Sequence, residues 1–198
     1  MNRNSNRIIN RNLNRMVDPH RHSEWPPAAS AESVLPSATL RELDGERGAI
    51  FSPCRRYRYA LWRRWGEPAD GAVVVGLNPS TADEHADDPT VRRCIAFARD
   101  WGFSGLTMIN LFAFRATRPA DLVEAADPVG PDNDRWLQAC SAGSRLVVAA
   151  WGRRGGWLER DQAVRRMLPP LQVLGLGKTA SPLHPLYLPR TRRPVPWT

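Results

Sequence analysis

The sequence predicts an α/β domain of three layers, αβα, around a central, mainly parallel sheet of four strands, with an antiparallel strand or hairpin at its N-terminal side. Three observations carry that expectation. Short apolar runs at 72–77, 106–112, 145–150 and 171–174 recur along the chain. The stretches between them carry helical periodicity, and the connections are long enough for crossovers. Strands that alternate with helices form parallel sheets covered on both faces.

The elements follow in order. The first 35 or so residues are rich in Asn, Arg, Ser and Pro and offer little surface to bury, so residues 1–35 are expected to be a disordered basic tail and 36–198 a single domain. Met16 offers an alternative start, and a basic arm on nucleic acid an alternative use for the stretch; His20 and His22 have no expected role. From Arg56 to Trp65, Tyr57, Tyr59 and Leu61 alternate with arginines, the period of a half-buried strand. A GEPADG turn leads into strand 72–77. Asp88 followed by Pro89 reads as an N-cap and a proline in the first helical turn, Val91, Ile95 and Ala98 form an apolar stripe to Asp100, and Gly102 ends the helix. Strand 106–112 follows, then the loop DPVGPDND, a helix around 133–142 and the run 145–150. A helix over 156–168, with Trp157, Val164 and Leu168 inward, and a strand at 171–174 precede GLGKTASPLHPLYL. There is no internal repeat.

A formal charge of +8 and a pI near 10.6 point to an anionic partner, DNA or a nucleotide. Lys178 is the lone lysine; arginine suits bidentate phosphate contacts, although a GC-rich genome would enrich it too. Cys54, Cys94 and Cys140 lack the paired spacing of a metal site, so no metal and no cofactor is expected. GLGKT ends like a phosphate-binding loop, but Gln172 stands where that motif needs glycine. With no apolar run of membrane length and no apolar signal core, a soluble, cytoplasmic monomer with no membrane contact is expected.

Ligands in such sheets collect beyond the carboxyl ends of the strands, where Asn78, Asn110, Trp151 and His184 fall. The most telling stretch is VVVGLNPS, residues 73–80. An apolar run stops at Gly76 and Leu77, and Pro79 stiffens the backbone on both sides of Asn78, so a carboxamide is held at the sheet's rim.

Two resemblances attach to these residues. The segments DDPTVRRCIAFARDWGF and DPVGPDND resemble an uncharacterised family of bacterial and phage proteins, a domain of unknown function, over roughly residues 50–190. The order GLNPS, INLF, AAWG and HPLYL after successive strands resembles the uracil-DNA glycosylase superfamily, with GLNPS closest to the mismatch-specific thymine/uracil glycosylases. That second resemblance implies a glycosylase-like fold and hydrolysis of an N-glycosidic bond of a flipped base in DNA. By it, Asn78 would orient the attacking water and His184 would donate a hydrogen bond to the leaving base. Asn110 would read the base's pairing edge, though a strand-end asparagine also caps backbone. Gly76, Leu77, Pro79 and Ser80 would shape the substrate loop. Leu186, Tyr187 or Leu188 would be the wedge that fills the vacated stack, and Arg92, Arg93, Arg153 and Arg190 would meet the phosphate backbone. Trp151 is expected to serve as scaffold.

The sequence also departs from that pattern. Where the glycosylases carry a base-stacking aromatic shortly after the first motif, this chain reads STADEHADDPTVRRC, with no aromatic before Phe97. Asp83, Glu84, Asp87 and Asp88 place negative charge there instead, either as capping and paired charges or as a site for something other than plain DNA. The leading expectation is therefore a base- or nucleotide-acting hydrolase. Its rivals are a binding module that kept the fold without the chemistry, and an enzyme processing modified bases.

Overall fold

A computed structural model describes residues 46–67 and 70–198; the expected tail over 1–35 lies outside the described residues. Seven strands among the described residues, β1 (Arg47–Phe51), β2 (Arg58–Arg64), β3 (Gly71–Gly76), β4 (Gly105–Asn110), β5 (Val147–Ala149), β6 (Gln172–Val173) and β7 (Val195–Pro196), form one sheet in the order β1-β2-β4-β3-β5-β6-β7. The expected central four-stranded sheet of a glycosylase-like fold is thereby corrected to a seven-stranded mixed sheet. Pairs β3–β4, β3–β5 and β5–β6 are parallel, whereas β1–β2, β2–β4 and β6–β7 are antiparallel.

The physical reason lies in β2. Its alternating arginines suggest a solvent face, yet six of its seven residues are buried, because β2 runs between β1 and β4. Arg63 is stripped of water and compensated by the Asp87 carboxylate (2.6 Å) and the carbonyls of Trp62 and Asp83. Arg58, 2% exposed, donates to the Ala82 carbonyl (2.8 Å) and to Asn110 Oδ1 (3.3 Å). Burial pulls its guanidinium down to about 10, an effect that Asp88 opposes.

Among the described residues, four α-helices accompany the sheet: α1 (Pro89–Asp100), α2 (Pro119–Val123), α3 (Asn133–Ser141) and α4 (Arg160–Met167). Helix α1 forms where its caps dictate. The Asp88 carboxylate accepts from the Val91 N–H (2.8 Å), Pro89 sits in the first turn, and Gly102 takes φ +88° just past the end. Its buried face, Val91, Cys94, Phe97 and Ala98, packs with Val74, Leu106, Met108 and Val148 of the sheet. Residues of opposite parity, Val73, Val75, Ile109 and Val147, are buried as well, and α3 lies against β2 and β4.

The expected helix 156–168 is broken. Leu158 and Glu159 both adopt left-handed backbone (φ 55° and 52°), which leaves a 3₁₀ turn at Trp157–Glu159 ahead of α4. No helix among the described residues is long and apolar enough to cross a membrane.

Candidate functional site

Beyond the carboxyl end of β3 lies a pocket of about 310 Å³ lined by Leu77, Asn78, Thr117, Leu122 and Trp157, with Arg118, Arg153 and Arg154 also on its wall. The strand hands over to the loop at Gly76, where a Cβ would sit 2.7 Å from Asn110 Nδ2, so any larger residue there would displace the Asn110 carboxamide. The loop is then pinned across the sheet. The Leu111 N–H donates to the Gly76 carbonyl, the Phe112 N–H to Leu77 and the Ala116 N–H to Pro79, at 2.9–3.0 Å.

Asn78 is fixed by its own amide. Nδ2 donates to the Pro79 carbonyl (2.9 Å) and the Ala116 carbonyl (2.8 Å), which spends both amide hydrogens and sets the carboxamide's orientation. Its Oδ1 takes no hydrogen bond from a described residue. The side chain therefore presents one preorganised acceptor, able to hold an N–H or a water. Trp157 forms an apolar wall, and its ring rests on Phe112 at 4.9 Å.

Of the expected site residues, the pocket gathers Leu77, Asn78 and Arg153. Gly76 and Pro79 are buried, and Ser80 lines a neighbouring open cleft. Asn110 is 3% exposed, accepts at Oδ1 from Arg58 Nη2 and lies outside the pocket lining. The acceptor half of its pairing edge is thus committed inside the protein. His184 also lies outside that lining, in the loop beside Gly152, with Nδ1 accepting from the Leu186 N–H (3.3 Å). Burial lowers its pKa below the ordinary 6.5, against the pull of Asp88, so at neutral pH it is a neutral ring with its proton on Nε2. Leu188 is buried in the core, while Leu186 and Tyr187 stay exposed on the 3₁₀ turn Pro185–Tyr187, Tyr187 at 83%. Trp151 is buried and packs on Trp197 at 5.6 Å.

The charges sort locally. Asp83 accepts from the backbone of His85 and Ala86, Glu84 holds Arg55 through both oxygens (2.9 Å), Asp87 pairs with Arg63, and Asp88 caps α1. These acids are turn, cap and ion-pair groups. Their ion-pair partners are Arg55, Arg63 and, at 4.0 Å, Arg47. Arg92 donates to the Asp87 carbonyl, Arg93 donates to the Leu188 carbonyl and lies over the Phe97 ring, and Arg190 makes a two-pronged pair with Asp100 (2.7 Å). Among the described residues, no group of three or more His, Cys, Asp or Glu side chains is placed to hold a metal ion.

Cys54, at the β1–β2 turn, has a distinct reactivity. The Ser52 hydroxyl (3.3 Å), then the Arg56 backbone and side chain, draw its thiol down from 9.0 to about 7, whereas burial pushes Cys94 and Cys140 up to about 12. One thiol per folded chain is expected to react with iodoacetamide, with a rate that rises through pH 7. Equal labelling of all three cysteines in the native protein would refute this.

Trp157 and Arg118 are pocket residues that the sequence reading did not assign. Trp157 was placed on an inward helix stripe; the adjoining Gly155-Gly156 pair was the available signal that the helix starts later. Comparison with curated proteins and with solved structures gives no match. A family described as "Protein of unknown function (DUF1643)" matches residues 58–186, a span that takes in every residue lining the pocket, and the chain belongs to that family.

Proposed function

We propose that this protein binds a nucleobase, carried by a nucleotide or by DNA, in the pocket beyond β3. The single observation that carries this reading is the pairing of a fixed acceptor, Asn78 Oδ1, with an aromatic wall, Trp157, in one cavity beside exposed arginines. A nucleobase offers ring N–H groups for the first and a π-face for the second. Arg153 and Arg154 favour an anionic ligand at the same place.

A hydrolytic reading, cleavage of a base–sugar bond, is favoured by one further point. The free oxygen of Asn78 is placed to orient water but is too weak a base to take its proton, which matches the role that the GLNPS resemblance assigns. Against it, Asn110 and His184 do not line the pocket, so the donor for a departing base has to come from elsewhere.

Substitution at Asn78 separates the two readings. Asn78→Ala is expected to weaken nucleoside binding by about threefold to tenfold, the worth of one hydrogen bond. Asn78→Asp is expected to weaken it further, because a carboxylate would face the carbonyls of Pro79 and Ala116 with no hydrogens to give. Calorimetric titration checks both. Abasic product from base-modified oligonucleotides, lost in Asn78→Ala, would establish the hydrolytic reading. Wild-type affinity in both variants would remove Asn78 from the site.

A further inference from the structure

The loop 77–81 and the segment 115–117 form a ridge with two flanks. The base pocket lies on one. On the other is an open cleft of about 460 Å³ lined by Arg55, Arg56, Arg115, Ser80, Thr81 and Thr117; Ala116 and Thr117 belong to both linings. Backbone bonds hold the ridge to both sides, from Ala116 N–H to the Pro79 carbonyl and from Arg115 N–H to the Arg56 carbonyl, each 2.9 Å. The pocket and the cleft thus share a wall at Ala116 and Thr117.

The cleft has more donors than the protein uses. Arg55 is answered by Glu84, and Asp121, the one carboxylate in the lining, is held by Arg118. Arg56 and Arg115 have no carboxylate within ion-pair distance among the described residues. Arg115 is stiffened over the Phe51 ring (5.0 Å), gives Nη1 to the Arg55 carbonyl (3.3 Å), and has a buried Nε with no partner. The hydroxyls of Ser80, Thr81 and Thr117 make no side-chain hydrogen bond to a described residue. Two guanidinium groups without a carboxylate partner, Arg56 beside the Cys54 thiol and Arg115, stand with three free hydroxyls and match an oxyanion with several oxygens, which is phosphate chemistry rather than that of a lone carboxylate.

We propose that this cleft holds the phosphate of the ligand whose base fills the pocket, so the ligand is a phosphorylated nucleoside. The inference rests on the base-pocket reading. The phosphate is either the chain of a free nucleotide or the backbone of a single strand.

The test is calorimetric titration of the full chain with the four common nucleosides, their 5′-mono- and triphosphates, and a short single-stranded oligonucleotide, at low and moderate salt. Wild type is compared with Arg56→Ala, Arg115→Gln, Arg153→Ala and Trp157→Ala, each checked for folding by its melting curve. Phosphorylation is expected to tighten binding by tenfold or more in wild type. Arg56→Ala and Arg115→Gln are each expected to lose about tenfold of that gain, with a shallower salt dependence and unchanged nucleoside affinity. Because Arg56 is an exposed turn residue, its variant stays informative even if Arg115→Gln unfolds.

Stronger binding of triphosphates than of the oligonucleotide identifies a free nucleotide; the reverse identifies a strand. Nucleosides binding as tightly as nucleotides would overturn the proposal, as would cleft variants that match wild type while Arg153→Ala loses the gain. Weakened triphosphate binding in the cleft variants with no effect of Trp157→Ala would overturn the base pocket and the linkage, leaving an anion site alone. No binding of any probe would overturn both.

Discussion

Trp157→Ala is expected to weaken nucleobase binding by about tenfold to a hundredfold, the loss of one base–aromatic stack. Trp157→Phe is expected to recover most of it, because a smaller ring keeps a π-face on the same wall. The site invests backbone strain in this side chain. Leu158 and Glu159, the next two residues, both hold left-handed φ/ψ, a conformation that costs non-glycine residues of order 1–3 kcal/mol each when the surroundings enforce it. That enforced turn delays α4 until Arg160 and leaves Trp157 on the pocket wall, against Phe112. Trp157 is only half-buried, so its truncation is expected to leave a cooperative melt within several degrees of wild type. Unchanged nucleoside affinity in a folded Trp157→Ala protein would dismiss the pocket as a base site.

The contrast between α1 and β2 shows which parts of this structure were legible in the chain. Helix α1 was readable because its signals are local: Asp88, Pro89, a stripe at helical spacing, and Gly102, all within fifteen residues. Strand β2 was readable as a strand but not as a buried one. The groups that make Arg58 and Arg63 tolerable inside are the Asn110 carboxamide, the Asp87 carboxylate and the carbonyls of Ala82 and Asp83, all brought in from distant sequence. The same contact explains Asn110. A carboxamide at a strand end is equally suited to reading a base or to satisfying a buried guanidinium, and only the fold puts Arg58 next to it. Asn78, by contrast, was legible, because Gly76, Leu77 and Pro79 specify a stiff strand-end turn from four consecutive residues. The basic cleft joins a hairpin turn to a loop sixty residues away, from Arg55 to Arg115, and no local pattern announces it.

A large loss of stability is expected at Asn133, which holds the far end of β4 to the start of α3. Its side chain is 0% exposed, and Nδ2 donates to the carbonyls of Asn110 (3.1 Å) and Leu111 (2.9 Å). The Leu111 carbonyl also accepts from Arg160 Nε (2.8 Å), so a single backbone oxygen ties β4 to both α3 and α4. Asn133→Ala withdraws a donor from each carbonyl and opens a small void, at a cost of about 2–4 kcal/mol read as a lowered denaturation midpoint with unchanged m-value. Asn133→Leu fills the void but supplies no donor. If the hydrogen bonds set the cost, leucine is no better than alanine; if it restores wild-type stability, packing alone was at stake and the latch is not what holds β4 to α3. The distinction matters for the pocket, because Arg160 begins the helix that follows Trp157. Loosening the shared Leu111 carbonyl is expected to raise the Kd for nucleosides in Asn133→Ala, by less than Trp157→Ala does, through displacement of the aromatic wall rather than its removal.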